Sequence, residues 1–135
     1  MGYMLNGQWV DEGTPLDTNV DKKGAFNRHD SVFRSYITAD EPNGLTPDSG
    51  RYHLYVSYAC PWAHRCQIMR KLKGLEEVIS LSIVNPLMGN KGWPFGGYEG
   101  ADEDPIFGAK HLHEVYSKAK SDYSGRVVVP VLFDK

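Results

Sequence analysis

At 135 residues, with 41% apolar and 24% charged side chains and a formal net charge of −2, the chain has the composition of one globular domain. The near-neutral charge leaves no basic footprint for nucleic acid, and no apolar run approaches the length of a membrane span. Two cysteines are too few for a disulfide framework, and the first six residues lack the basic region and long apolar stretch of a signal peptide. A cytoplasmic location is the expectation.

Residues 1–25 are polar and turn-rich, with Gly13-Thr14-Pro15 and Asp21-Lys22-Lys23-Gly24. They read as an extended N-terminal arm whose Tyr3 and Trp9 pack on other parts of the chain. Phe26, Phe33 and Ile37 recur at seven and four, a spacing that predicts a short helix or helical turn. Residues 39–50 carry only turn chemistry and form a loop, so arm and loop together fill 1–51. The domain proper, 52–135, begins with Tyr52–Tyr58, an apolar and aromatic run of strand length. The pattern then changes. Trp62, Cys66, Met69 and Leu72 lie on one helical face, which predicts a helix over Trp62–Lys73 ending at Gly74. Pro61 suits the first helical position, where its missing N–H is no loss.

Val78–Val84 is the second strand, too apolar to be exposed. Strand, helix and strand within so short a span make a βαβ unit with a parallel pair. Residues 85–104 are a long connection with glycines at 89, 92, 96, 97 and 100 and two prolines; loops of this length are often functional. A second helix is expected within Asp104–Lys120, with Leu112, Val115, Tyr116 and Ala119 on one face. Val127–Phe133 is the third strand, and Pro130 within it argues for an edge or a strand start. This β-α-β-α-β order is an α/β pattern, the first part of a thioredoxin-like fold.

Cys60 stands where the first strand meets the first helix. Unpaired amides and the positive end of the helix dipole favour a thiolate there, and the thiolate is the nucleophile. A buried structural cysteine is the competing reading, and position alone leaves the two open. The third residue after Cys60 is Ala63, not a second cysteine, so a mixed disulfide at Cys60 has to be resolved by an external thiol. Cys66 is assigned to the core, and six residues of helix, roughly 9 Å of rise, put it beyond disulfide reach of Cys60. Arg65 either favours the Cys60 thiolate or is a solvated charge, and His64 is assigned to the surface. No metal is expected: Cys60, His64 and Cys66 match no zinc spacing, and His29, His53, His111 and His113 are scattered. Trp93 is either a clamp over a ligand or a plug into the core.

The stretch Tyr52-His53-Leu54-Tyr55-Val56 followed by Cys60-Pro61-Trp62-Ala63 resembles the active-site segment of glutathione transferases with a cysteine nucleophile. It is most similar to the glutathionyl-hydroquinone reductases, the xi class. The likeness continues through Arg70–Glu76, Val84-Asn85-Pro86-Leu87-Met88, Gly92-Trp93 and Ser124-Gly125-Arg126 to Val129-Pro130-Val131-Leu132. The resemblance implies the N-terminal thioredoxin-like domain of such an enzyme, incomplete at its C-terminus. A fourth strand, a third helix and a helical domain would follow Lys135. It implies that Cys60 is catalytic, attacking the sulfur of a glutathionyl-hydroquinone to release hydroquinone, and that a second glutathione regenerates it. Glutathione is then the co-substrate, with Trp93, Arg126, Val127, Val128 and Val129 lining its site and Pro130 in cis. The implied partners are glutathione and glutathionyl-hydroquinone, with no nucleic acid and no membrane, and a homo-oligomer is expected. An omega-like thiol transferase and a non-catalytic glutathione-binding or interaction module are the alternatives.

Overall fold

The computed structural model describes residues 2–11, 23–24, 30–40 and 44–135. Phe26 and the 13–15 turn lie outside the described residues. In chain order the elements are β1 (Tyr3–Leu5), β2 (Gln8–Val10), β3 (Tyr52–Val56), α1 (Pro61–Leu72), β4 (Ile79–Ile83), α2 (Leu112–Ala119) and β5 (Val131–Asp134).

The start of the arm is not extended chain but an antiparallel hairpin, pairing Met4 with Trp9. Asn6 and Gly7 turn it with φ of 49° and 77°. Both central residues are left-handed, as a two-residue hairpin turn demands, and Asn-Gly is the pair that supplies this most readily. The hairpin is docked rather than loose. Met4 is fully buried and exchanges two backbone hydrogen bonds of 2.9 Å with Gly125, while the Gly7 N–H donates to the Tyr123 carbonyl. A Cβ at Gly7 would run into the Ser121 carbonyl oxygen at a positive φ. Gly7→Ala should therefore cost about 1–3 kcal/mol, read as a lower urea midpoint with an unchanged slope.

The helical turn expected around Phe33 and Ile37 does not form in the described part of that segment. The chain there is extended and fixed by other contacts. Phe33 stacks on Tyr123 at 5.4 Å and meets Tyr116 edge-on at 5.8 Å, and the Thr38 N–H donates to the Leu45 carbonyl. Aromatic packing on a distant element replaces the local hydrogen bonds that a single helical turn could offer.

The main sheet has the order β4-β3-β5. β3 runs parallel to β4, with Leu54 opposite Leu81, and antiparallel to β5, with Leu54 opposite Leu132. All five residues of β3 are buried, the result of covering a central strand on both faces. The third strand starts later than expected. Residues 127–130 lie outside the ladder, with a bend at Val129, because Pro130 has no N–H to donate and the backbone groups of Val128 are held by a side chain. β5 begins directly after Pro130, and the Val129–Pro130 bond is cis.

The second helix is also shorter than expected, starting at Leu112. The Asp104 carboxylate accepts the amides of Ile106, Phe107 and Ala109. That closes a separate turn before the helix. His111 and Glu114 then form a capping box that starts α2.

α1 follows its predicted span within a residue at each end, but not its predicted face. Trp62, Met69 and Leu72 are 58%, 48% and 74% exposed. The inward face is Ala63, Cys66, Gln67 and Arg70, about a quarter-turn round. Ala63 is fully buried, and its small side chain lets the helix approach β3. Arg70 is drawn inward because its guanidinium donates to the Ile79 and Glu76 carbonyls at 2.7 and 2.8 Å.

Candidate active site

β3 delivers the chain to Cys60, which caps the N-terminus of α1 in an extended conformation, with Pro61 in the first turn. The Cys60 N–H donates to the Ser57 carbonyl and its own carbonyl accepts the His64 N–H, both at 3.1 Å. The amides of the first helical turn have no intrahelical acceptors, so they remain directed at the capping residue. A serine or aspartate at this position would use its oxygen on them. The sulfur makes no such cap bond. Instead it lies 3.4 Å from the Val129 carbonyl oxygen, to which the thiol donates.

That contact spans 69 residues of sequence and assembles the two halves of the predicted site. Val127 and Val129 are buried at 6% and 4%, whereas the Val128 side chain faces out at 41%. The Tyr116 hydroxyl, from α2, donates to the Val128 carbonyl at 2.9 Å and accepts the Val128 N–H at 3.3 Å. The Tyr123 hydroxyl donates to the Arg126 carbonyl at 2.7 Å. Two buried tyrosines thus hold the extended segment before Pro130 in place beside the sulfur. Among the described residues the Val129 N–H has no hydrogen-bond partner. Next to Sγ the segment has one backbone donor unpaired among the described residues and one carbonyl that accepts the thiol, the pair of groups that β-type pairing with a peptide uses.

Tyr116 and Tyr123 support this segment through their hydroxyls, a role that the sequence reading missed. The available signal was a hydroxyl on an otherwise apolar face, since a buried tyrosine finds a partner for its O–H.

Trp93 packs partly buried against the core cluster, and its carbonyl accepts the Leu112 N–H at 2.9 Å. It is anchored in the core while part of the ring stays open. Arg126 is partly buried, and His64 and Arg65 are exposed. Cys66 is partly buried on the inward face of α1, and both cysteines are free. Burial pushes the Cys66 thiol up, with Arg65 opposing, so less of it is thiolate at neutral pH than in an ordinary thiol. Among the described residues no cluster of three or more histidine, cysteine or carboxylate side chains is placed to hold a metal.

The chain as a whole is matched by known proteins. The family profile of the glutathione S-transferase N-terminal domain fits residues 59–135. The chain belongs to this family. Its fold is the thioredoxin-like N-terminal domain of the glutathione transferases. Among curated proteins, glutathionyl-hydroquinone reductase YqjG of Escherichia coli (strain K12) is 50% identical over 142 residues, covering 100% of this chain and 42% of its own length. Among solved structures, a xi-class transferase from Natrialba magadii superposes with a TM-score of 0.81 at 41% identity, over 99% of this chain and 38% of that one. The glutathione-bound structure of YqjG gives a TM-score of 0.77 at 43% identity, over 99% of this chain and 39% of that one. The chain therefore spans about two fifths of the length of the relatives it matches.

Proposed function

We propose that this chain is the glutathione-binding, sulfur-attacking portion of a glutathionyl-hydroquinone reductase acting in the cytoplasm. The observation that carries the reading is the contact between Cys60 Sγ and the Val129 carbonyl, 3.4 Å apart, with the Val129 N–H unpaired among the described residues. The cysteinyl unit of glutathione has one N–H and one C=O flanking its own sulfur. Paired antiparallel with Val129, it would bring that sulfur to Cys60. Arg126 is the candidate partner for a glutathione carboxylate, and Trp93 the ring against which the tripeptide rests.

In the first step the Cys60 thiolate attacks the sulfur of a glutathionyl-hydroquinone. The S–S bond to Cys60 forms, the aryl C–S bond breaks, and the aryl carbon takes up a proton to leave as hydroquinone. In the second step the thiolate of a free glutathione attacks the mixed disulfide, leaving as oxidised glutathione and restoring Cys60. With Ala63 in place of a second cysteine, no internal thiol competes for that step.

The test uses the chain as it is. Oxidised glutathione is added near neutral pH, and the adduct is mapped by mass spectrometry while its rate is followed against concentration. The expected result is one glutathionyl group on Cys60, formed at a rate that saturates, with Cys66 modified far more slowly. Equal, non-saturating modification of both cysteines would remove the support for a built site.

A further inference from the structure

The hairpin β1–β2 also meets the turn that leads into Trp93. Gly89 and Gly92 close this turn with reciprocal backbone hydrogen bonds of 3.1 Å. Its two exposed carbonyls are taken in succession by two rings. The Trp9 indole N–H donates to the Asn90 carbonyl at 3.1 Å, and His113 Nδ1–H donates to the Lys91 carbonyl at 3.0 Å. The two rings stack on each other, with centroids 4.7 Å apart and planes 19° from parallel. His113 stacks in turn on His111 at 5.3 Å. Gly92 lies flat against the indole, and a Cβ there would sit 3.1 Å from it at a φ of +79°. Trp93 is the next residue.

We propose that Trp9 and His113 are positioning residues, a two-ring clip that fixes the Trp93 turn and so sets the affinity of the site for glutathione. The proposal rests on the reading above that glutathione lies beside Trp93. The clip joins residues from the hairpin and from the first turn of α2 onto consecutive peptide carbonyls of a turn that has no regular secondary structure to hold it. Without the clip, the 89–92 turn keeps only its own two hydrogen bonds, and Trp93 keeps its core contacts but loses the fixed approach on one side. A ligand that needs the ring in one place would then pay the ordering entropy on binding. Neither ring is among the groups proposed to meet the sulfur, so the attack itself is left unchanged.

The test separates affinity from chemistry. The rate of Cys60 modification is measured against oxidised glutathione concentration, and S-methylglutathione, which cannot form a disulfide, is titrated as a competitor. Trp9→Ala should raise the half-saturating concentration and the inhibition constant together, by about tenfold, while the maximal rate stays within about twofold. Trp9→Phe and His113→Phe each keep a stacked ring and remove one hydrogen bond. Each should give a smaller rise in the same two constants, and this pair decides the matter if the alanine variant does not fold. Unchanged constants in the two phenylalanine variants, or a fall in maximal rate with unchanged constants, would overturn the clip. A wild type that does not saturate, or that reacts equally at both cysteines, fails at the underlying reading and takes the clip with it.

Discussion

Cys60→Ser should abolish glutathionylation at position 60 completely and leave only the slow background at Cys66. Serine is close in shape, and its hydroxyl can still donate to the Val129 carbonyl, so urea unfolding should move by no more than about 1 kcal/mol. The change removes the one atom at this position that can form and break an S–S bond. A hydroxyl in the same place cannot take a glutathionyl group from a disulfide, because the S–O product is far less stable. The residual adduct should map to Cys66 and rise with pH, since burial holds that thiol above its ordinary range. Intact-mass measurement over time, with peptide mapping of the product, checks both statements. Full modification of the serine variant at wild-type rate would mean that Cys66 is the reactive thiol and that the helix-start geometry is incidental.

The largest stability effect is expected at Asp104, which is 5% exposed. Its Oδ1 accepts the Tyr55 hydroxyl at 2.7 Å and the Ile106 amide at 3.1 Å. Its Oδ2 accepts the Phe107 and Ala109 amides, both at 3.0 Å. Tyr55 is fully buried in the central strand and packs edge-on against Phe95 at 5.6 Å. Asp104→Ala leaves a phenol hydroxyl without an acceptor in the core, along with three turn amides. Each orphaned group costs about 1–3 kcal/mol where water cannot reach it. The expected loss is about 3–5 kcal/mol, since the two amides nearest the surface recover part of theirs. Asp104→Asn should lose somewhat less. It keeps one acceptor oxygen but turns an NH2 group toward the other pair of donors.

The same site gives the chain an acid limit. Burial by itself would push the Asp104 carboxyl up. The Tyr55 hydroxyl and the Ala109, Ile106 and Phe107 amides more than offset this and hold it below the usual carboxylate range. A carboxyl depressed in the folded state contributes stability that is fully present above its unfolded value, about 3.9, and lost as pH falls through the folded value. The gap in unfolding free energy between wild type and Asp104→Asn should therefore be wide at pH 5 and narrow toward pH 2. Urea titrations at those two pH values measure it. A gap that does not narrow would show that the carboxylate charge is not what the turn uses.

Much of this molecule is legible from local pattern. Apolar runs of strand length define β3 and β4, the spacing of Trp62, Cys66, Met69 and Leu72 defines α1, and the strand-to-helix junction puts Cys60 at a helix start. Ala63, standing where a dithiol centre has its second cysteine, leaves Cys60 without a resolving thiol at that spacing. The Asn6-Gly7 turn is equally legible, because the residue pair itself favours the left-handed backbone it adopts. The face of α1 was not legible in the same way. Periodicity finds an apolar stripe at Trp62, Cys66, Met69 and Leu72, but which face turns inward depends on what the sheet offers. Here Ala63 allows close approach, and the Ile79 and Glu76 carbonyls draw in Arg70.

The rest belongs to contacts that no local window contains. The Tyr116 hydroxyl on Val128, the Trp9–His113 stack over residues 90–92 and the Cys60 sulfur against Val129 each join parts of the chain that meet only after it has folded. Local pattern places a cysteine at a helix start, a βαβ unit and a proline at the start of the last strand. Which backbone groups stand beside that cysteine is settled by packing. Hydrogen-bond partners at long sequence separation are set by how sheet, helices and hairpin pack, not by the residues on either side of each group.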